Sequence, residues 1–444
     1  MTTDTQPSTA PRRSFAAALG PGLIFAGASV GVSHLVQSTR AGVGWGLALW
    51  VVVLAALVLK YPPFRFGSLY SAATGKSLLE GYRRLGPWTL WLFALLTLGT
   101  MFAVQAAVTI VTAALLHSQL PAMGLPSPGI AWLNAIVLVV CCVILFVGNY
   151  RCLDRLTKLL VPVFTILTLV AAAIAVPRLA AVTDTFWPTM STWEIAGTVA
   201  FLAALIGWMP TAIDISAWQS LWVLARGRET GQRPEVGSVL LDFNIGYITT
   251  GVLAFCFLIL GASTATAQVE FPTAATQFPG FFIDLYRTTV GDWAGGIVSV
   301  AAFAVMLSTT LAVLDGFPRV ASVLVQRLRG PELTDGFQQS PAASATGDGT
   351  GAYRVAMVAL AVGAFVLLQA LSNAFLTVVD VATIASFLTA PVLAVLNHRV
   401  MTSDDIPGEH RLSIHMRVFS WVSIICLSGF AAFYVAYRIV GWVS

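Results

Sequence analysis

Eleven apolar runs of at least 17 residues, each closed by charge or by proline and glycine, take up most of this 444-residue chain. A run of that length crosses the ~30 Å hydrocarbon layer as a helix, and lipid cannot satisfy the backbone of an open strand or loop. The runs lie near 15–40, 42–62, 87–117, 130–149, 156–177, 193–225, 237–263, 292–326, 353–371, 374–397 and 413–440. The fold class that follows is an all-α membrane protein with about eleven transmembrane helices. Composition allows little else: 57% of residues are hydrophobic and 10% charged, against about 25% charged in soluble domains. A globular enzyme on a single anchor is excluded. The net charge of +4 does not argue for a nucleic-acid partner, because the basic residues flank the apolar runs.

Charge placement sets orientation and checks the span count. With the N-terminus in the cytoplasm, the inner segments hold 20 of the 24 Lys and Arg, with Lys60 and Arg319 among them. Arg40, Arg178, Arg287 and Arg438 fall outside. This is the positive-inside asymmetry, and a missed span would scramble it. The expectation is an integral protein of a bacterial cytoplasmic (inner) membrane, N-terminus inside and C-terminus outside. Residues 1–13 read as a cytoplasmic tail, since no small-residue cleavage site follows a short apolar core. The basic stretch 62–86 reads as a cytoplasmic helical continuation of the second span, and 333–351 as a polar, disordered loop. Five cysteines without a CxxC point to neither a disulfide framework nor a cysteine metal site. Enzyme motifs of the HExxH, serine-nucleophile and phosphate-loop kinds are absent from the sequence, and no resident cofactor is expected.

Two of the runs are interrupted where a spanning helix should be continuous. The first reads Ala28-Ser29-Val30-Gly31-Val32-Ser33-His34; the second reads Ile206-Gly207-Trp208-Met209-Pro210-Thr211 and continues to Asp214. Breaks inside a membrane survive only where protein, water or a solute takes the freed backbone bonds. Five spans precede the second break, and five is odd, so the two halves enter from opposite sides: an inverted repeat of five plus five, residues 14–180 and 190–398, with 410–444 added as an eleventh helix. Broken helices at matching places in two repeats point to a transporter's binding site. The partners are then the lipid bilayer and a transported solute or metal ion; the oligomeric state is not legible.

Span one offers Ser29, Gly31, Ser33, His34 and Gln37. In span six, Pro210 lacks the N–H that would bond the Ile206 carbonyl; Met209, Thr211 and Asp214 follow, with Trp208 and Trp218 as an apolar wall. His34 and Asp214 are costly in lipid and need a cavity or a partner. Coupling candidates are Asp380, which has no cation near it in sequence, and Gln105 with Thr109 at helical spacing. Asp315 is placed to pair with Arg319, and Asp242 reads as a wet interfacial acid.

Gly20-Pro21-Gly22, Thr74-Gly75-Lys76-Ser77-Leu78 and Met209-Pro210 resemble the natural-resistance-associated macrophage protein (Nramp) family of divalent metal transporters. The resemblance implies a LeuT-like 5+5 fold and secondary active transport of a divalent transition metal by alternating access. It covers the layout of nearly the whole chain, yet departs from the family at the metal site. The family's Asp-Pro-Gly-Asn falls on Gly31-Val32-Ser33-His34, its Met-Pro-His on Met209-Pro210-Thr211, and its span-three acids near Met101 and Val104. The implied metal set is His34, Met209 and Asp214, softer than a carboxylate site and suited to iron or copper. A proton- or sodium-coupled carrier of a small organic solute, such as an amino acid or amine, is the alternative.

Overall fold

The structure, a computed structural model, describes residues 20–179, 187–189, 197–231, 234–264, 270–329, 350–371 and 374–443, with 148–161 and 441–443 described by backbone alone. The 1–13 tail and nearly all of the 333–351 loop lie outside the described residues. What is described is almost entirely helical. Span one is α1 (Pro21–Ser29), a π-helical stretch Ser33–Ser38 and α2 (Thr39–Trp45). Then come α3 (Trp50–Thr74), α4 (Leu78–Leu85), α5 (Pro87–Gln119) and α6 (Ile130–Ala175). Span six is α7 (Thr198–Trp208) and α8 (Ile215–Glu229). The remainder is α9 (Val236–Ala262), α10 (Phe278–Val290), α11 (Asp292–Arg329), α12 (Gly351–Ala370), α13 (Phe375–Met401) and α14 (Ile414–Val443).

Among the described residues, nine helical stretches are long and apolar enough to cross a membrane. The two interrupted spans supply the rest of the expected set, because each half alone is too short. The architecture is the expected LeuT-like five-plus-five arrangement, and its packing carries the symmetry: α2 lies on α9 as α8 lies on α3.

Two expectations change. Spans four and five were read as separated by a loop, yet the backbone is helical throughout Ile130–Ala175. The segment 149–161 holds neither glycine nor proline to stop a helix. The continuation of span two is helical, as expected, to Thr74, and Pro62, Pro63, Phe64 and Phe66 are buried within α3, as Glu80 and Tyr82 are within α4. Asp242 is not wet. It is 3% exposed, and its carboxylate accepts the N–H groups of Gly20 at 3.1 Å and Gly22 at 2.7 Å, capping α1. The two backbones meet there: a Cβ on Gly22 would stand 2.0 Å from the Asp242 carbonyl oxygen, and one on Gly246 would stand 2.1 Å from that of Gly22.

A cavity between the two helix breaks

Pro210 decides where span six stops. Without its N–H the α-helical ladder ends at Trp208, Met209 turns extended, and the chain restarts as a helix at Ile215. The Ile206 carbonyl, expected to be freed, accepts the Met209 N–H at 3.3 Å. The carbonyls left over are those of Gly207 and Thr211, and the Lys60 ammonium donates to both, at 2.8 Å and 2.9 Å. Lys60 reaches them from α3 and is fully buried. The charge count places it in a cytoplasmic segment; it belongs to the break. Arg319, also counted there, is fully buried on Asp315, which in addition accepts from Trp222 and Tyr353.

Span one unwinds at Val30 and Gly31 without a proline. The weak helix former here is Gly31, and it faces Thr309 of α11, where a Cβ would stand 2.7 Å from the threonine methyl carbon. The Thr309 hydroxyl lies 2.8 Å from the Gly27 carbonyl and 3.2 Å from that of Val30, so it takes bonds the break releases. Ser33 donates to the Ser29 carbonyl at 2.6 Å.

Between the breaks lies a small cavity of about 20 Å³, lined by Ser29, Ser33, Thr211, Asp214, Thr309 and an apolar wall that includes Val104, Val108, Trp208 and Trp218. It has room for a water or one small ion. Three buried polar atoms on residues of this lining have no hydrogen-bond partner among the described residues: Ser29 Oγ, Asp214 Oδ1 and Trp218 Nε1. Buried polar groups are normally satisfied, so the cavity these three residues line is the candidate site.

The residues singled out in the sequence therefore divide. Ser29, Ser33, Thr211 and Asp214 meet at the cavity. Gly31 is packed against Thr309, and Ile206 is spent on its own chain. His34 lies outside the cavity lining: Nε2–H donates to the Thr250 carbonyl at 2.9 Å, and Nδ1 sits 2.7 Å from Ser33 Oγ and 3.0 Å from the Ser29 carbonyl. Met209 is fully buried in an apolar cluster with Leu49, Val53, Leu205 and Leu258. The set His34, Met209 and Asp214 thus does not converge, and no group of three or more His, Cys, Asp or Glu is placed to hold a metal among the described residues. The reason is register: one residue's rotation about a broken helix carries a side chain from the cavity to the opposite packing face.

Asp380, read as lacking a cation, has one from span one: Arg40 Nη1 is 2.8 Å and 3.0 Å from its two carboxylate oxygens, and Gln37 Nε2 donates at 3.1 Å. Arg40 also lies over the Phe201 ring, 4.9 Å from its centroid, so spans one, six and ten are joined there. Gln105 and Thr109 bond to each other on α5 while Val104 and Val108 face the cavity. Sequence reasoning missed Lys60 and Thr309. The available signal for Lys60 was a lysine just before Pro62-Pro63 at the end of an apolar run; Thr309 carried none.

A family model described as natural resistance-associated macrophage protein-like matches residues 22–436. An uncharacterized protein of Pasteurella multocida (strain Pm70) is 35% identical over 435 residues, covering 96% of this chain and 94% of that one. Among solved structures, a mutant of the Eremococcus coleocola manganese transporter matches with a TM-score of 0.71 at 15% identity, over 100% of this chain and 91% of the other. MhsT in complex with L-phenylalanine matches with a TM-score of 0.63 at 15% identity, over 95% of this chain and 100% of the other. At that identity the structural likeness concerns the fold.

Proposed function

Because the chain belongs to the natural resistance-associated macrophage protein family, we propose that it is a secondary active transporter moving a divalent transition-metal cation by alternating access through the cavity between its helix breaks. The observation that carries the reading is Asp214 Oδ1, a buried carboxylate oxygen with no partner on a residue lining a void of about 20 Å³. A void that small suits one ion in this conformation and is far too tight for an amino acid, which weighs against the organic-solute alternative. The donors beside it are oxygens, Asp214 and Ser29, so the cargo is a harder ion than the softer set implied: manganese fits better than copper. The Eremococcus relative is a manganese transporter. The indole N–H of Trp218 is a donor and takes no part in holding a bare cation.

Alternating access would use the two ends of span one. Arg40 ties its end to Asp380 of span ten, and Asp242 of span seven ties its start. Releasing one tie while the other holds opens the cavity to one side at a time. The orientation proposed is the positive-inside one, in a bacterial inner membrane. The test is uptake of radioactive manganese into proteoliposomes. Saturable uptake is expected, reduced about thirtyfold in Asp214→Asn, the equivalent of ~2 kcal/mol for one charge-assisted contact. Uptake unchanged in Asp214→Asn, or no flux of any divalent ion, would overturn the reading.

A further inference from the structure

We propose that Lys60 is a tethered cation: its ammonium fills a monovalent-cation site made by the Gly207 and Thr211 carbonyls, a site that a free alkali or alkylammonium ion would otherwise take. The inference does not depend on the cargo's identity. A lysine that is fully buried is rare, and inside a membrane it is costly without partners. Its hydrogen-bond partners are two backbone carbonyls, at 2.8 Å and 2.9 Å, on either side of the Met209–Pro210 step. One of them belongs to the last turn of α7, the negative end of that helix. Carbonyls released by a broken helix and turned onto one positive charge are the way membrane proteins replace an alkali ion's hydration shell. The position therefore has the ligands of a cation site, with the cation supplied by the chain.

The tether is stiff. Lys60 stands on α3, and α3 meets α8 so closely that a Cβ on Gly67 would lie 2.2 Å from the Ser216 carbonyl oxygen. The ammonium is thus held to the break by a helix packed against the far side of that same break. A free ion can leave with the cargo; this one cannot. The site then needs no alkali co-ion.

The test uses the purified full-length chain in detergent, followed by thermal unfolding in sodium, potassium or methylammonium chloride, with N-methylglucamine chloride as a control too large to enter. Lys60→Ala is expected to melt lower than the parent and to regain several degrees with at least one small cation, whereas the parent does not respond. Lys60→Gln keeps N–H donors but no charge, and is expected to stay destabilised. If Lys60→Ala yields no folded protein, Lys60→Gln decides alone. The proposal is overturned if Lys60→Gln melts with the parent, if Lys60→Ala loses stability that no small cation restores, or if the parent gains as much from those cations as the variant does.

Discussion

Lys60 and Met209 exchange the roles that their side-chain chemistry suggests. A lysine at the end of an apolar run reads as an anchor at the interface, and a methionine beside a proline break reads as a metal ligand. The structure puts the ammonium on the Gly207 and Thr211 carbonyls and the thioether among leucines and valines. Met209→Leu conserves volume and polarity there. It is expected to leave manganese uptake within about twofold and stability within ~1.5 kcal/mol; a collapse of uptake with stability intact would show that the thioether meets the ion elsewhere in the cycle. His34 is a structural histidine by its contacts, with Nε2 on the Thr250 carbonyl of α9 and Nδ1 beside the Ser33 hydroxyl. His34→Ala removes the side-chain donor to the Thr250 carbonyl and leaves a hole in a buried site, and chemical denaturation is expected to register a loss of about 1–3 kcal/mol.

Helix crossings are set by glycines that no side chain could replace. Gly22→Ala forces a methyl into the Asp242 backbone, and a loss of about 1–3 kcal/mol is expected. Gly99→Ala on α5 meets nothing within 4 Å, so it should be neutral or stabilising by up to ~1 kcal/mol through helix propensity. Melting curves of the two variants side by side check the contrast. The Arg40–Asp380 tie joins elements 340 residues apart in the chain. It is partly solvated, with side chains 21% and 29% exposed, so a double-mutant cycle with Arg40→Gln and Asp380→Asn should give a coupling of about 1 kcal/mol. At this scale the sequence was informative about breaks and silent about partners. Pro210 ends α7 by local chemistry alone, whereas span one unwinds where Gly31 meets a threonine 278 residues on, at position 309.

The whole molecule is a bundle with two interrupted members, and its orientation is open to direct measurement. α5 crosses the membrane between Arg84 and Met123. On a cysteine-free background, Met123→Cys should react with an impermeant thiol reagent in intact cells, and Arg84→Cys only in inverted vesicles. The reverse pattern would invert the topology. By itself the sequence determined the class, the number of spans, both breaks and the polar residues near them, because apolar length and missing backbone donors act through neighbours along the chain. Only the tertiary structure decided which of those residues share one cavity. That choice depends on the rotation of each broken helix about its axis and on ligands brought from distant spans. Lys60, Thr250 and Thr309 had to be packed into place before His34 and Met209 could be seen to face away and Asp214 to be left with an unanswered oxygen.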